Sequence, residues 1–206
     1  MVKVKICGIS HEVEIGIMNE LVPDFVGFVF ASRSKNFIAP EHAGYLRAKL
    51  RKGIKAVGVY QDARLEDVAL SAEVANLDMV QLRGNETGEY IAALREYIKR
   101  PIIRSFRIRS AMEAERAMYT TADYVMLDGP AELGGRAFNW SFIGSARRRN
   151  YFLKGGLNID NVEQALKLEP QPYALDVSTG VEANRLKDYR KVMKFLLAVR
   201  SFKPKR

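Results

Sequence analysis

Apolar runs of five to seven residues recur along the chain, separated by stretches whose apolar positions return at helical spacing. Runs at 2–7, 25–30, 54–60, 78–82, 101–107, 123–128, 150–154 and 173–177 read as strands. Between and after them, 11–20, 40–51, 64–75, 87–99, 110–119, 139–147, 158–168 and 187–201 read as helices. Ser10 before an acidic turn, Pro40-Glu41 and Asn158-Ile159-Asp160 supply helix-start signals. Eight strand-then-helix units without a long linker imply a parallel sheet, and eight is the number that closes a (β/α)8 barrel. The expectation is therefore an α/β chain folded as one TIM-barrel domain over 1–206, with a short basic tail at about 202–206. A doubly wound open sheet is the alternative. It wants Gly-x-Gly-x-x-Gly after the first strand, where Cys7-Gly8-Ile9-Ser10 offers a single glycine.

Composition narrows the class. With 206 residues, 48% hydrophobic and 28% charged, the chain is long enough to bury a substantial core. No apolar stretch approaches the roughly 20 residues of a membrane span. The segment Met1–Lys5 lacks the apolar centre of a signal peptide, so a cytoplasmic protein with no membrane association is expected. Cys7 stands alone, which excludes an internal disulfide and suits a reducing compartment. His11, His42 and Cys7 form no metal-ligand spacing, so no metal is expected. The net charge of +9 is spread along the chain, from Arg47, Lys49, Arg51 and Lys52 through Arg147–Arg149 to the terminal Lys203–Arg206. No nucleic-acid-binding signature accompanies it. A solvated basic surface that draws in a small anionic substrate is the better reading.

In a barrel of this kind, chemistry sits at the C-terminal ends of the strands, and phosphate binds at the loops after strands seven and eight. That rule selects Cys7, Asp128 and Asp176 as reactive side chains at strand ends. It also selects Gly155-Gly156-Leu157-Asn158 and Ser178-Thr179-Gly180 as junctions whose backbone N–H groups suit an anion. Lys5 lies one pleat from Cys7 and is a candidate cation for a thiolate. Asp128, if partly buried, suits a general acid. An acid and a base facing a phosphosugar are sufficient for carbonyl migration without a cofactor. Each feature also has a plain reading. A lone cysteine is commonly a small hydrophobe, Asp128 before Gly129-Pro130 starts a turn, Asp176 caps backbone, and a double glycine is an ordinary loop. Their shared position at one rim favours catalysis.

At these residues the chain resembles the phosphoribosylanthranilate isomerases of tryptophan biosynthesis. The likeness runs through Lys5-Ile6-Cys7-Gly8-Ile9, Val26-Gly27-Phe28-Val29-Phe30, Val57-Gly58-Val59-Tyr60, Val80-Gln81-Leu82, Met126-Leu127-Asp128, Phe138-Asn139-Trp140, Gly155-Gly156-Leu157-Asn158 and Asp176-Val177-Ser178-Thr179-Gly180-Val181-Glu182. The resemblance implies a (β/α)8 barrel and an Amadori rearrangement of N-(5-phosphoribosyl)anthranilate. It implies Cys7 as general base, Asp128 as general acid, and a phosphate cradle of Gly155, Gly156, Asp176, Ser178, Thr179 and Gly180. It implies no cofactor, and the subunit is expected to be a monomer or homodimer. Three departures stand out. Asn36 occupies the place of the arginine that reads the anthranilate carboxylate, Arg83 replaces the histidine after Val-Gln-Leu, and the loop after Asp128 is shortened to Gly134-Gly135-Arg136-Ala137. An amide does not make the charged, two-pronged pair that arginine makes with a carboxylate. Arg83, with Arg136, is the expected replacement. The alternatives are an aminoaldose phosphate isomerase of altered or dual substrate, and a phosphosugar-binding relative without activity.

Overall fold

The structure, a computed structural model, describes residues 1–145 and 150–203. The chain runs β1 (Lys3–Cys7), α1 (Glu12–Leu21), β2 (Phe25–Val29), α2 (Pro40–Lys49), β3 (Lys55–Tyr60), α3 (Leu65–Val74), β4 (Met79–Leu82), α4 (Gly88–Tyr97), β5 (Ile102–Arg107), α5 (Ala111–Ala117), β6 (Tyr124–Asp128), β7 (Tyr151–Lys154), α6 (Val162–Leu166), β8 (Ala174–Val177), β9 (Glu182–Ala183), β10 (Leu186–Lys187) and α7 (Tyr189–Ser201). The first eight strands follow one another in a closed barrel, β1 to β8. This is the (β/α)8 architecture that the eight apolar runs predicted. Each strand begins one residue later than its run, save β2, which begins on it.

Three segments differ from expectation, each for a local reason. The helix expected over 139–147 is a 3-10 segment over Trp140–Ser145, with 146–147 outside the described residues. There Asn139 Oδ1 accepts from Ser141 N–H and the Asn139 carbonyl from Phe142 N–H, a tight turn in a stretch poor in strong helix formers. The helix expected from 158 begins at Val162 instead. Asn158 Oδ1 accepts from Asp160 N–H and Asn161 Oδ1 from Asn158 N–H, so side chains satisfy the backbone in a non-helical turn. Before α7 the chain forms a 3-10 turn (Thr179–Val181) and the antiparallel pair β9–β10. Asn184 and Arg185 both adopt positive φ between those strands, the conformation of a tight two-residue hairpin turn. Of the basic tail, Phe202 and Lys203 follow α7, whereas 204–206 lie outside the described residues.

The chain divides into two compact units. One comprises residues 6–105 and 120–124. In it β2, β3, β4 and β5 pair in parallel register, Phe25 to Lys55, Val57 to Met79 and Val80 to Ile102. Val26, Phe28, Val57, Val80, Ile102 and Ile103 are buried there. Two carboxylates tie strand starts to helices: Asp78 accepts from Ala56 N–H and Arg47, and Asp123 from Ile102 N–H and Arg95. The other unit comprises residues 1–5, 106–119 and the chain from 125 onward. Here β6, β7 and β8 pair in parallel, Leu127 to Leu153 and Lys154 to Asp176. The buried face of α7 carries Val192, Phe195, Leu196 and Val199. Among the described residues no helix is long and apolar enough to cross a membrane.

Candidate active site

In the unit built on β2–β5, Cys7 is the last residue of the first strand, a buried thiol outside any disulfide, packed among Val29, Val59 and Ala31. The chain turns sharply after it: Gly8 has φ +87, and the Gly8 and Ile9 N–H groups both donate to the Gly27 carbonyl. Glu14, buried on α1, then accepts from the Ser10 and His11 N–H groups and fixes the loop. Asn36 packs directly on Gly8, because Phe37 and Ile38 return to pair with Val29; a Cβ on Gly8 would lie 2.3 Å from Asn36 Nδ2. The amide that replaces the expected arginine therefore sits beside the residue following the thiol.

Arg83 leaves the end of β4 half-buried. Its N–H donates to Tyr60, while its guanidinium makes no hydrogen bond or ion pair among the described residues. The loop that carries it is densely hydrogen-bonded. Buried Arg104 on β5 donates to the carbonyls of Leu82, Gly84, Glu86 and Ser105 and pairs with the Glu86 carboxylate at 3.4 Å. Burial pulls the Arg104 guanidinium below its usual range, and the Glu86 and Asp62 charges oppose that shift. Glu86 in turn accepts from the Asp62 and Gly84 N–H groups. Arg104, Glu86 and Asp62 are residues that sequence reasoning missed; nothing in their spacing marks a clamp around Arg83.

In the other unit, Asp128 ends β6 and Lys154 ends β7, and their side chains form an ion pair of 2.5 Å with exposures of 15% and 21%. Lys154 also escaped the sequence reading, although it stands directly before the double glycine. Lys5, expected as the cation for the thiol, instead gives its ammonium to Asp176 Oδ2 at 3.1 Å, with both side chains wholly out of solvent. Asp176, expected in the phosphate cradle, caps no backbone; its Oδ1 has no hydrogen-bond partner among the described residues. Burial pushes the Asp176 carboxyl up from its ordinary range, and the Lys5 and Lys154 ammonium groups pull against that rise.

The glycine junctions come together in this same unit. A Cβ on Gly156, whose φ is +67, would lie 2.1 Å from Ala137 N, and one on Gly180 would lie 2.0 Å from the Leu157 carbonyl oxygen. Only glycine lets these three segments of backbone approach so closely. Asn158 and Asn161 hold the Gly156 carbonyl at 3.3 and 2.9 Å. The N–H groups of Gly156, Thr179 and Gly180 donate to nothing among the described residues, which leaves them for an anion. The Ser178 hydroxyl lies 3.4 Å from both Glu182 and Lys187, a pair joined across the β9–β10 hairpin that the sequence did not reveal. Arg136 is exposed, its Nε donating to the Leu133 carbonyl of the shortened loop. No group of three or more His, Cys, Asp and Glu side chains able to hold a metal ion occurs among the described residues.

Comparison with known proteins places this arrangement. A family model described as N-(5'phosphoribosyl)anthranilate (PRA) isomerase matches residues 4–198. An N-(5'-phosphoribosyl)anthranilate isomerase of Caldanaerobacter subterraneus subsp. tengcongensis is 39% identical over 97% of this chain and 98% of its own. The crystal structure of phosphoribosyl anthranilate isomerase from Thermotoga maritima superposes with a TM-score of 0.89, at 33% identity over 98% of this chain and 100% of that one. A further crystal structure, of the isomerase in complex with reduced 1-(o-carboxyphenylamino)-1-deoxyribulose 5-phosphate, gives a TM-score of 0.86 at 32% identity over 98% and 100%.

Proposed function

The chain belongs to the N-(5'-phosphoribosyl)anthranilate isomerase family, and from that premise we propose that it converts N-(5-phosphoribosyl)anthranilate to 1-(2-carboxyphenylamino)-1-deoxyribulose 5-phosphate, with Cys7 as base and Asp128 as acid. The observation that carries this reading is the family match over 4–198 in a chain whose first strand ends in a thiol and whose sixth ends in a carboxyl group. Asp128 protonates the ring oxygen, the C1–O bond breaks, and the anilino nitrogen takes up the positive charge as an iminium ion. The Cys7 thiolate then removes the C2 proton to give an enaminol. Protonation at C1 and loss of the C2 hydroxyl proton complete the ketone, with no net gain or loss of protons. General acid and general base each contribute about 10²–10⁴-fold in such a step.

The phosphate is assigned to the N–H groups around Gly155, Gly156, Thr179 and Gly180 and to the Ser178 hydroxyl. Asp176, held by Lys5, supports the strand end beneath them. The anthranilate carboxylate is assigned to Arg83, whose guanidinium has no competing partner among the described residues, with Arg136 as a more exposed second cation. A thiol that must stay reduced suits a cytoplasmic enzyme.

The purified chain, mixed with N-(5-phosphoribosyl)anthranilate, is expected to consume it, followed by loss of the substrate's fluorescence. A folded protein with no turnover would overturn the assignment. Asn36 on Gly8 favours one further reading, acceptance of an aminoaldose phosphate that lacks the aryl carboxylate. Comparable kcat/KM on both compounds would establish dual specificity.

A further inference from the structure

Three charged side chains stand in sequence across neighbouring strand ends. The β7–β8 register pairs Lys154 with Asp176, and the β6–β7 register, pairing Leu127 with Leu153, brings Asp128 level with Lys154. Lys154 therefore has a carboxylate on either side. Asp176 already holds the Lys5 ammonium at 3.1 Å in a pair with no exposure, and the Lys154 ammonium lies on Asp128 Oδ2 instead. The two pairs differ in kind. The Lys5–Asp176 pair is sealed within the fold, whereas Lys154 and Asp128 remain 21% and 15% exposed, so Asp128 is accessible from solvent while paired with its counterion.

We propose that Lys154 is a positioning residue for the acid step, fixing the Asp128 carboxyl and passing it the proton that opens the sugar ring. This rests on the assignment of Asp128 as the acid. As an ion pair the two groups hold one transferable proton, on Nζ. That proton moves to Asp128 and on to the ring oxygen as the C1–O bond breaks. Lys154 is left as a neutral amine, and the positive charge resides on the iminium nitrogen. When the enaminol becomes the ketone, the C2 hydroxyl proton returns through Asp128 to Lys154, and the proton taken by Cys7 goes to C1. Charge and protons balance over the cycle. The side chain acts only through Asp128, and no contact with substrate is required of it.

The test compares kcat and KM for Lys154→Met, Lys154→Arg, Lys154→Ala and Asp128→Asn, with circular dichroism to confirm folding. Lys154→Met is expected to lower kcat by about 10²-fold while KM stays within about threefold, since a general acid contributes at least this much. Lys154→Arg keeps the ion pair but not the readily released proton, so it folds normally and its kcat stays low. Adding ethylamine to Lys154→Ala restores part of kcat in a concentration-dependent way, a response that a structural role does not produce. A kcat for Lys154→Met within about threefold of wild type, wild-type kcat in Lys154→Arg, or no amine rescue overturns the proposal. If Asp128→Asn itself turns over normally, the underlying acid assignment fails. If Asp128→Asn is inactive and Lys154→Met is not impaired, only the role of Lys154 fails.

Discussion

Replacing Lys5 with methionine removes the counterion of a carboxylate that is wholly out of solvent. In the native fold Lys5 Nζ lies 3.1 Å from Asp176 Oδ2, both side chains have zero exposure, and Asp176 Oδ1 has no hydrogen-bond partner among the described residues. Breaking one partner of a buried ion pair costs about 3–5 kcal/mol, because the remaining charge is left without compensation. The Lys154 ammonium still acts on Asp176 from the neighbouring strand, which argues for the lower part of that range. For a chain of this size, about 2–4 °C of Tm accompanies each kcal/mol, so a fall of roughly 6–15 °C is expected. The loss also depends on pH. Burial already raises the Asp176 carboxyl above its unfolded value, and removing Lys5 raises it further. A carboxyl with a raised folded-state pKa contributes stability that is fully present below the unfolded value and is lost as pH rises through the folded one. The deficit of Lys5→Met relative to wild type therefore grows from acid toward neutral pH, by at most about 1.4 kcal/mol per pH unit for one proton. Urea denaturation at pH 5, 6, 7 and 8 measures it. The double variant Lys5→Met/Asp176→Leu, with no buried charge, should recover much of the loss at pH 8. A deficit below about 1 kcal/mol that is flat across this range would refute the reasoning.

Three further outcomes follow from the geometry. Arg83→Ala should raise KM for N-(5-phosphoribosyl)anthranilate by roughly 10–100-fold with kcat little changed, the loss of about 1.5–3 kcal/mol for a charged hydrogen bond; an unchanged KM removes Arg83 from substrate recognition. Gly156→Ala puts a Cβ 2.1 Å from Ala137 N at a φ of +67, so it should weaken protection by inorganic phosphate in thermal melts and lower Tm. Wild-type phosphate protection in that variant would show that the cradle lies elsewhere. Glu86→Gln should loosen the loop that carries Arg83, raising KM in the same direction as Arg83→Ala and adding little to it when the two are combined. Full additivity would separate the two residues.

Strand positions were legible because buried parallel strands read as near-continuous apolar runs, and each of the eight begins within one residue of its run. The helices were less so in two segments where side chains compete with the backbone. Asn139, Asn158 and Asn161 each accept from main-chain N–H groups and hold these stretches in non-helical turns. The hairpin of Glu182–Lys187 was invisible because its strands are two residues long, too short for any periodicity. For the candidate site, the sequence placed Cys7 and Asp128 at strand ends and Gly156 and Gly180 at strand-to-loop junctions, and the structure has them there. Charge pairing was not legible: Lys5 reads as a neighbour of Cys7 along one strand, yet its ammonium meets Asp176, 171 residues away in the chain. Lys154 and Arg104 were missed for the same reason, since their partners are set by strand register rather than by spacing.

The proposed division of labour between thiol and carboxyl is tested most directly by single-turnover measurement on Cys7→Ala and Asp128→Asn beside wild type, following substrate fluorescence. Each variant is expected to bind substrate within about threefold of wild type and to lose at least about 10²-fold in the rate of conversion, as befits loss of a general base or acid. A rate near that of wild type in either folded variant would contradict the account.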